Sequence, residues 1–415
     1  MNIQCQNKED LKHVAQLPVF RYIIVIFLLY IYFNSVYFRF LGPLVSQHIL
    51  IPAVLICLSS KMFLFIKQNK KLLWLYLILF FVTALITIIG EGDRRPFMNS
   101  ILKIVYYMYI PSIIIPYMYT YRLSLSKCVI AIGWISGVIS TLCFISGGFA
   151  SVMSELFMNF VEDTDRITEG RGFGIASGIT YAYGLVNAFI LAYSLSINYH
   201  KRWYSIFFYI LLLFATIINT RTSFILELLF VIVFFFMSGS KNKAKIALLG
   251  VLIGALIYYY VLPRIMGSTT GDWLMQGFYM INDYMYDTST ARNYNVFYIL
   301  QNMIIFPETM SEWMFGTGKF IYQKSDIGFI LQLYYGGLIY LGLLLITYYV
   351  TIKNIDNMYM KVCAIIMLII ANYKGVYLEY TDGLKFITFI AMYEVFFNYQ
   401  IRQRKLLIAK KYEAK

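Results

Sequence analysis

The sequence predicts an all-α membrane protein, a single integral domain over residues 1–415 that crosses the bilayer about 12 times. Hydrophobic residues make up 60% of the chain and charged residues only 13%, whereas about a quarter of a soluble domain is charged. The apolar residues fall in blocks of roughly 18 to 23, the length with which a helix spans the hydrocarbon core. Helices are expected because every backbone N–H and C=O in lipid needs a partner within its own segment.

Each apolar block is expected to form one membrane-spanning helix, and the eleventh and twelfth are the shortest. The predicted spans are 19–38, 46–66, 72–89, 99–121, 128–148, 176–198, 203–219, 222–238, 244–262, 327–350, 361–373 and 386–399.

Short basic clusters lie in alternate connections between these blocks, at 67–71, 121–127, 200–202, 240–245 and 402–405. The positive-inside rule assigns such clusters to the cytoplasm. The pattern therefore predicts that the N and C termini are both cytoplasmic. It also explains the net charge of +14 as a topology signal, so membrane lipid is expected around the chain and no nucleic-acid partner is predicted.

Two predicted outside loops, 149–175 and 263–326, are much longer than the other connections. Loops of that length in a compact protein are usually functional. The second loop contains an apolar and aromatic run at 293–306, which predicts a helix that lies on the membrane interface or dips into it.

The outside connections are rich in arginine, whose forked donors suit phosphate oxygens and keep their charge near lipid. The members of this set are Arg94, Arg95, Arg166, Arg171, Arg221, Arg264 and Arg292. Such a cluster would suit a lipid-linked pyrophosphate. Solvated loop charges or headgroup contacts remain the alternative for each arginine. Arg221 is the most informative, because it lies in the short turn NTRTSF between two apolar blocks, where polar neighbours favour a binding pocket over snorkelling to the interface.

Carboxylates lie beside the arginines of the first long loop, in the stretch EDTDRITEGRGFG at 162–174. They could act as bases, but their spacing matches no defined metal loop and no histidine is near, so no metal is predicted. No nucleotide fingerprint is visible and no cofactor is predicted. Glu227 and Glu394 lie inside predicted spans, where a carboxylate is a functional hypothesis by default, although either could pair with a nearby basic group or a tyrosine hydroxyl.

The segment TARNYNVFYILQNMIIFPETMSEWMFGTGKF, followed by SDIGFILQLYYGGLIYLG, resembles the bacterial O-antigen polymerase family (Wzy type). In that family an arginine precedes an amphipathic run, an F-G-x-G element follows, and a polar residue opens a span that ends in a glycine-rich turn of helix. NTRTSF and RGFG resemble the arginine sites of the same family. The spaced Arg-to-Gly repeats described for some polymerases do not occur in both long loops of this chain.

The resemblance implies a glycosyltransferase in the bacterial cytoplasmic (inner) membrane that polymerises undecaprenyl-pyrophosphate-linked oligosaccharide repeat units on the outer face. Arg171, Arg221 and Arg292, with Arg166 and Arg264, would bind the pyrophosphate that leaves. Asp326 and Glu169 are the candidates for the carboxylate that takes the hydroxyl proton. A chain-length regulator and a flippase are the partners that the resemblance implies.

Two other functions stay open. An O-antigen ligase has a similar architecture but places a histidine near the position of Asp326, which favours the polymerase. A lipid-linked oligosaccharide flippase or transporter also fits the number of spans. A transporter is expected to contain helices broken in both halves of the chain. Pro111 and Pro116 are expected to break the fourth span, and no matching break is predicted in the other half.

Overall fold

The structure is a computed structural model that describes residues 17–36, 38, 61–89, 92–157, 181–239, 250, 303–321, 324–379 and 381–413. Five of the predicted site residues lie outside these ranges. They are Arg166, Glu169, Arg171, Arg264 and Arg292.

All regular structure in the described ranges is helical, which confirms the predicted fold class at that level. The α-helices are α1 Leu17–Asn34, α2 Met62–Gln68, α3 Lys70–Ile89, α4 Arg94–Lys103, α5 Ile110–Thr120, α6 Leu125–Ile145, α7 Gly147–Phe157, α8 Tyr181–Ser196, α9 Ser205–Asn219, α10 Arg221–Met237, α11 Met310–Phe315, α12 Gly328–Lys353, α13 Met358–Lys374 and α14 Asp382–Glu413.

Four helical stretches in the described part of the chain are long and apolar enough to cross a membrane: Lys70–Ile88, Arg94–Thr120, Leu125–Ile145 and Gly328–Lys353. Four shorter helices are also apolar: Val19–Asn34, Ala182–Ser196, Ser205–Asn219 and Thr222–Met237. Many of their apolar side chains are exposed on the outside of the described bundle, for example Phe81 and Ile88 on α3. These helices are compatible with a membrane protein, while the number of spans and the side on which each loop lies stay predictions.

The stretch Arg94–Thr120 does not break at its prolines, which corrects the expectation drawn from Pro111 and Pro116. Helix α4 continues through a π-helical segment, Ile104–Tyr109, directly into α5. Pro111 directly follows the π-helical segment and Pro116 lies inside α5, so neither proline ends the helix. The wider π turn next to Pro111 is a known way of adjusting the hydrogen-bond ladder of a helix.

Helix α12 does contain a break, in the half of the chain where none was expected. Gly336 and Gly337 leave the helical conformation, with φ/ψ of −136°/17° and 65°/−166°. The backbone conformation of Gly337 is accessible essentially to glycine alone, since a Cβ would collide with the adjacent carbonyl. The break divides α12 into a short segment, 328–335, and a longer one, 338–353.

Long-range contacts define two ends of the helix bundle. At one end, called here the Asp93 end, the Ser35 hydroxyl donates to Asp382 Oδ1 at 2.6 Å and the Asp93 amide donates to Gly318 O at 2.7 Å. At the other, the Lys70 end, the Arg21 guanidinium lies 3.6 Å from the centre of the Tyr121 ring. Exposed cations such as Lys70 and Lys353 also lie at the Lys70 end.

Candidate functional site

The F-G-x-G element, residues 315–318, docks into the break of α12. The carbonyls that the break frees are satisfied from this element: Thr317 N donates to Tyr334 O at 2.6 Å and Gly318 N to Tyr335 O at 2.9 Å. The approach is so close that a Cβ built on Gly337 would lie 2.3 Å from the backbone of Met314. Non-helical backbone within an apolar bundle is stable only where protein groups satisfy it, and this element supplies them.

Asp93 joins this docked element to the start of α4. Its backbone N–H donates to Gly318 O, and its carboxylate Oδ2 accepts from Phe320 N at 2.6 Å. Asp93 is the N-cap residue of α4 but makes no side-chain capping hydrogen bond, because the carboxylate is directed to Phe320 instead. The first turn of α4 is therefore not capped by this side chain.

A pocket lies between the start of α4 and the docked element, and four exposed cations line it. The lining residues are Asp93, Arg94, Arg95, Lys319, Phe320, Ile321 and Lys324. We call this the basic pocket. Four positive charges around one carboxylate give it a net positive potential, and the N-terminus of α4 adds to the field. Its chemistry suits a phosphate or pyrophosphate group, which arginine binds through two parallel hydrogen bonds.

Asp326, a predicted catalytic carboxylate, lies two residues from Lys324 and is exposed. A turn fixes this part of the chain: Lys324 N and Ser325 N both donate to Ile321 O, and Ser325 Oγ accepts from Ile327 N. The structure thus brings Asp326 into the segment that borders the basic pocket. The sequence singled out Arg94 and Arg95 as outside arginines but missed Lys319 and Lys324, because nothing local indicates that these lysines lie near residue 93.

Arg221 begins α10, directly after the one-residue connection at Thr220. The expectation of a tight turn between two apolar helices is confirmed, and its polar neighbours are buried rather than lipid-facing: Asn219, Thr220 and Ser223 are at most 9% exposed. The Arg221 side chain lies outside the described atoms. The structure therefore shows the polar surroundings of this arginine and leaves its phosphate-binding role a prediction.

The two carboxylates inside predicted spans differ in their partners. Glu227 is fully buried and accepts from the Thr216 hydroxyl at 2.8 Å, rather than from a tyrosine. Glu394 accepts from the backbone N–H of Asp356, in the connection before α13, and the basic group expected near it is Lys361, which acts on it electrostatically. These contacts lie at the Lys70 end, away from the basic pocket.

A buried ion pair near the Asp93 end was not predicted. Lys385 is fully buried and its ammonium donates to Asp382 Oδ1 at 2.7 Å and to Ser35 Oγ, while lying 5.0 Å from the centre of the Tyr106 ring. The signal was present in YTDGLKF, where an acid and a lysine three residues apart open an apolar block. The pair locks the start of α14 against the end of α1. Paired and enclosed in this way, it cannot contact a substrate without rearrangement.

A second buried pair of opposite charges lies nearby. Lys103, at the end of α4, and Glu379, before α14, are 3% and 1% exposed. Glu379 accepts from the Tyr340 hydroxyl at 2.6 Å. Lys103 stands inside a predicted span, so the rule that an intramembrane charge is a functional candidate could have found it.

No group of three or more histidine, cysteine, aspartate or glutamate side chains gathers as a metal site in the described ranges. A scan against models of protein families found no match, and a search of curated proteins found no relative of this chain.

Proposed function

We propose that the protein is a membrane glycosyltransferase that polymerises oligosaccharide repeat units carried on undecaprenyl pyrophosphate, with the basic pocket facing the outside of the cytoplasmic membrane. The observation that carries the proposal is the pocket itself, in which Arg94, Arg95, Lys319 and Lys324 surround Asp93 at one end of an apolar helix bundle. A pyrophosphate attached to a lipid needs this combination of clustered cations beside a membrane surface.

The surface next to the pocket is suited to the lipid. Phe315, four residues before Lys319, is 63% exposed, and Met310 is 77% exposed. The exposed Phe306 ring stacks on Trp313, which extends the apolar surface along the same segment. Four residues span at most about 14 Å, so the apolar surface and the basic pocket are within reach of one amphiphilic molecule.

The charge distribution supports the orientation in which the Lys70 end is cytoplasmic. Exposed basic residues, among them Lys70, Lys71 and Arg122, lie in short connections at that end. The positive-inside rule counts the basic residues of such short connections and assigns them to the cytoplasm.

In the proposed reaction a hydroxyl of the incoming sugar attacks the anomeric carbon of the growing glycan. The new glycosidic C–O bond forms as the bond from that carbon to the lipid pyrophosphate breaks. The pocket cations stabilise the negative charge that develops on the leaving pyrophosphate. Asp326, beside the pocket, takes the hydroxyl proton as general base.

The test is a polymerisation assay on the full chain in nanodiscs with its lipid-pyrophosphate-linked repeat unit, read as a ladder on a gel. Wild type is expected to form the ladder. Lys319→Gln and Lys324→Gln should weaken it by raising the substrate concentration required, and Asp326→Asn should slow the reaction at saturating substrate. The matched control is Lys353→Gln, an exposed lysine at the opposite end of α12. Polymerisation that is unaffected by the pocket variants, or equally weakened by the control, would reject the assignment.

A transporter of lipid-linked oligosaccharide is the second candidate, and the break at Gly336–Gly337 favours it. Discontinuous helices near a binding site are typical of secondary transporters. Here the π-helical segment Ile104–Tyr109 in one half and the broken α12 in the other supply irregular helices in both halves. Translocation of labelled lipid-linked sugar across liposomes, without ladder formation, would support transport over polymerisation.

A further inference from the structure

Three helices enclose a polar seam below Arg221. Helices α8, α9 and α10 all pack against one another. Gly184 on α8 permits this approach, since a Cβ built there would lie 2.5 Å from Ser223 Oγ and 2.7 Å from Thr220 Oγ1. The close contact brings the polar residues of the NTRTSF turn into the middle of the three helices, where water has no direct access.

The seam contains polar atoms that have no hydrogen-bond partner in the described structure. They are Asn219 Oδ1, Ser223 Oγ and Glu227 Oε2. All three side chains are at most 3% exposed. Buried polar atoms in proteins are nearly always paired, so a group of unpaired ones in one seam indicates an occupant that none of the described side chains provides.

The neighbouring hydrogen bonds show that acceptor oxygens are the atoms left open. Asn219 uses its Nδ2 to donate to Ala215 O at 2.6 Å, which leaves its Oδ1 as the open atom. Glu227 uses Oε1 to accept from Thr216 at 2.8 Å, which leaves Oε2 open. Carboxylate, amide and hydroxyl oxygens are hard ligands, which select hard cations such as Na⁺, Mg²⁺ or Ca²⁺ rather than transition metals.

The charge of the seam selects among these cations. Glu227 is the one acidic side chain of the seam, and it forms no ion pair with any side chain that the structure describes. A buried isolated carboxylate is unfavourable in an apolar surrounding, and a single positive charge neutralises it. A divalent ion would leave an excess positive charge there, and Ca²⁺ sites normally contain several carboxylates.

We propose that Glu227, Asn219 and Ser223 form a binding site for one monovalent alkali cation, Na⁺ in the first instance, enclosed between α8, α9 and α10. The ion sits one to two helical turns below Arg221 and completes the coordination that the unpaired oxygens lack. It links α9 and α10 beneath α8, in the way that a buried hydrogen-bond network does. The site does not depend on the proposed glycosyl transfer and serves a transporter equally, as a coupling-ion site.

The experiment is binding of ²²Na⁺ to the purified full chain, with thermal unfolding in Na⁺, K⁺ and choline chloride at constant ionic strength. Wild type is expected to bind Na⁺ saturably and to unfold at a higher temperature in Na⁺ than in choline. Glu227→Gln removes the charged ligand and should lower the Na⁺ affinity more than about tenfold, and Ser223→Ala should lower it less.

Glu379→Gln is the matched control, because Glu379 is also buried and also has one unpaired oxygen, but lies outside the seam. This variant should keep the Na⁺ response of wild type. Arg221→Gln tests whether the Arg221 side chain, rather than an ion, occupies the seam. If wild type shows no Na⁺ response and this variant gains one, the arginine occupies the seam and the proposal is wrong. The same Na⁺ response in wild type and in Glu227→Gln, or none in any variant, would also overturn it, with ordered water as the occupant.

Discussion

The basic pocket and the three-helix seam lie at the same end of the bundle, yet they are built for opposite charges. The pocket is exposed, has four cations and is shaped by loop segments that dock on a broken helix. The seam is enclosed, presents oxygens and is shaped by intact helices that approach at Gly184. In the two proposals above, an anion therefore enters the first from the membrane surface, while a cation is held in the second within the helices.

Gly337 shapes the pocket and Gly184 shapes the seam. Substitution of these two glycines is expected to have the largest effects on stability and binding. Gly337→Ala should destabilise the fold around the pocket by about 3 kcal/mol or more, because its backbone conformation excludes a Cβ and because that Cβ would meet the Met314 backbone at 2.3 Å. The midpoint of thermal unfolding should fall and pyrophosphate binding should be lost. Na⁺ binding at the seam should survive in whatever fraction remains folded.

Gly342→Ala is the control, since it lies on the same helix and nothing is within 4 Å of its Cβ position. Alanine there should be neutral or stabilising by up to about 1 kcal/mol, as expected for glycine replaced within a helix. Equal destabilisation by the two substitutions would show that the break at Gly336–Gly337 does not shape the pocket.

The complementary change is Gly184→Ala, which acts on the seam. A Cβ there would press on Ser223 and Thr220, and overpacking of this kind costs about 1–3 kcal/mol. We expect lower thermal stability and weaker Na⁺ binding, with phosphate binding at the pocket retained. Gly147→Ala, where a Cβ meets nothing within 4 Å, should have no such effect. Loss of phosphate binding in Gly184→Ala at full Na⁺ affinity would reverse the assignment of the two regions.

The two regions also differ in how much of each can be predicted from the sequence. The apolar blocks predicted the helices closely where they are uninterrupted: residues 203–219 against an observed Ser205–Asn219, and 222–238 against Arg221–Met237. The polar turn at 219–223 was visible because its residues are adjacent in sequence. The approach of α8 at Gly184, which closes the seam, was not visible in this way.

The pocket could not be found in this way, because it depends on contacts between distant segments. The hydrogen bond from Phe320 N to Asp93 joins residues 227 positions apart, and Lys319 and Lys324 become neighbours of Arg94 only through it. The glycine pair at 336–337 was read as a glycine-rich turn of helix. Its role as a docking point for Gly316–Gly318 requires knowing which backbone carbonyls the break leaves free.

The contact at Asp93 gives the smallest and most selective effect. Asp93→Ala removes the acceptor of Phe320 N and should cost about 1 kcal/mol, because the donor is only partly buried and water replaces the acceptor in part. Asp93→Asn keeps an oxygen acceptor and should restore most of the stability. The two variants share a second effect that thermal unfolding does not report, since both remove the one carboxylate that lines the pocket.

Removing that negative charge should strengthen the attraction of pyrophosphate to the four cations. Asp93→Asn is therefore expected to bind inorganic pyrophosphate more tightly than wild type, with an excess that diminishes as salt is added. Asp93→Ala should gain less, because the docked element is no longer fixed. Titration at low and high ionic strength measures both. If Asp93→Asn bound pyrophosphate more weakly than wild type, the carboxylate would itself be a ligand or hold one of the cations in position, and the pocket would owe its selectivity to geometry rather than to net charge.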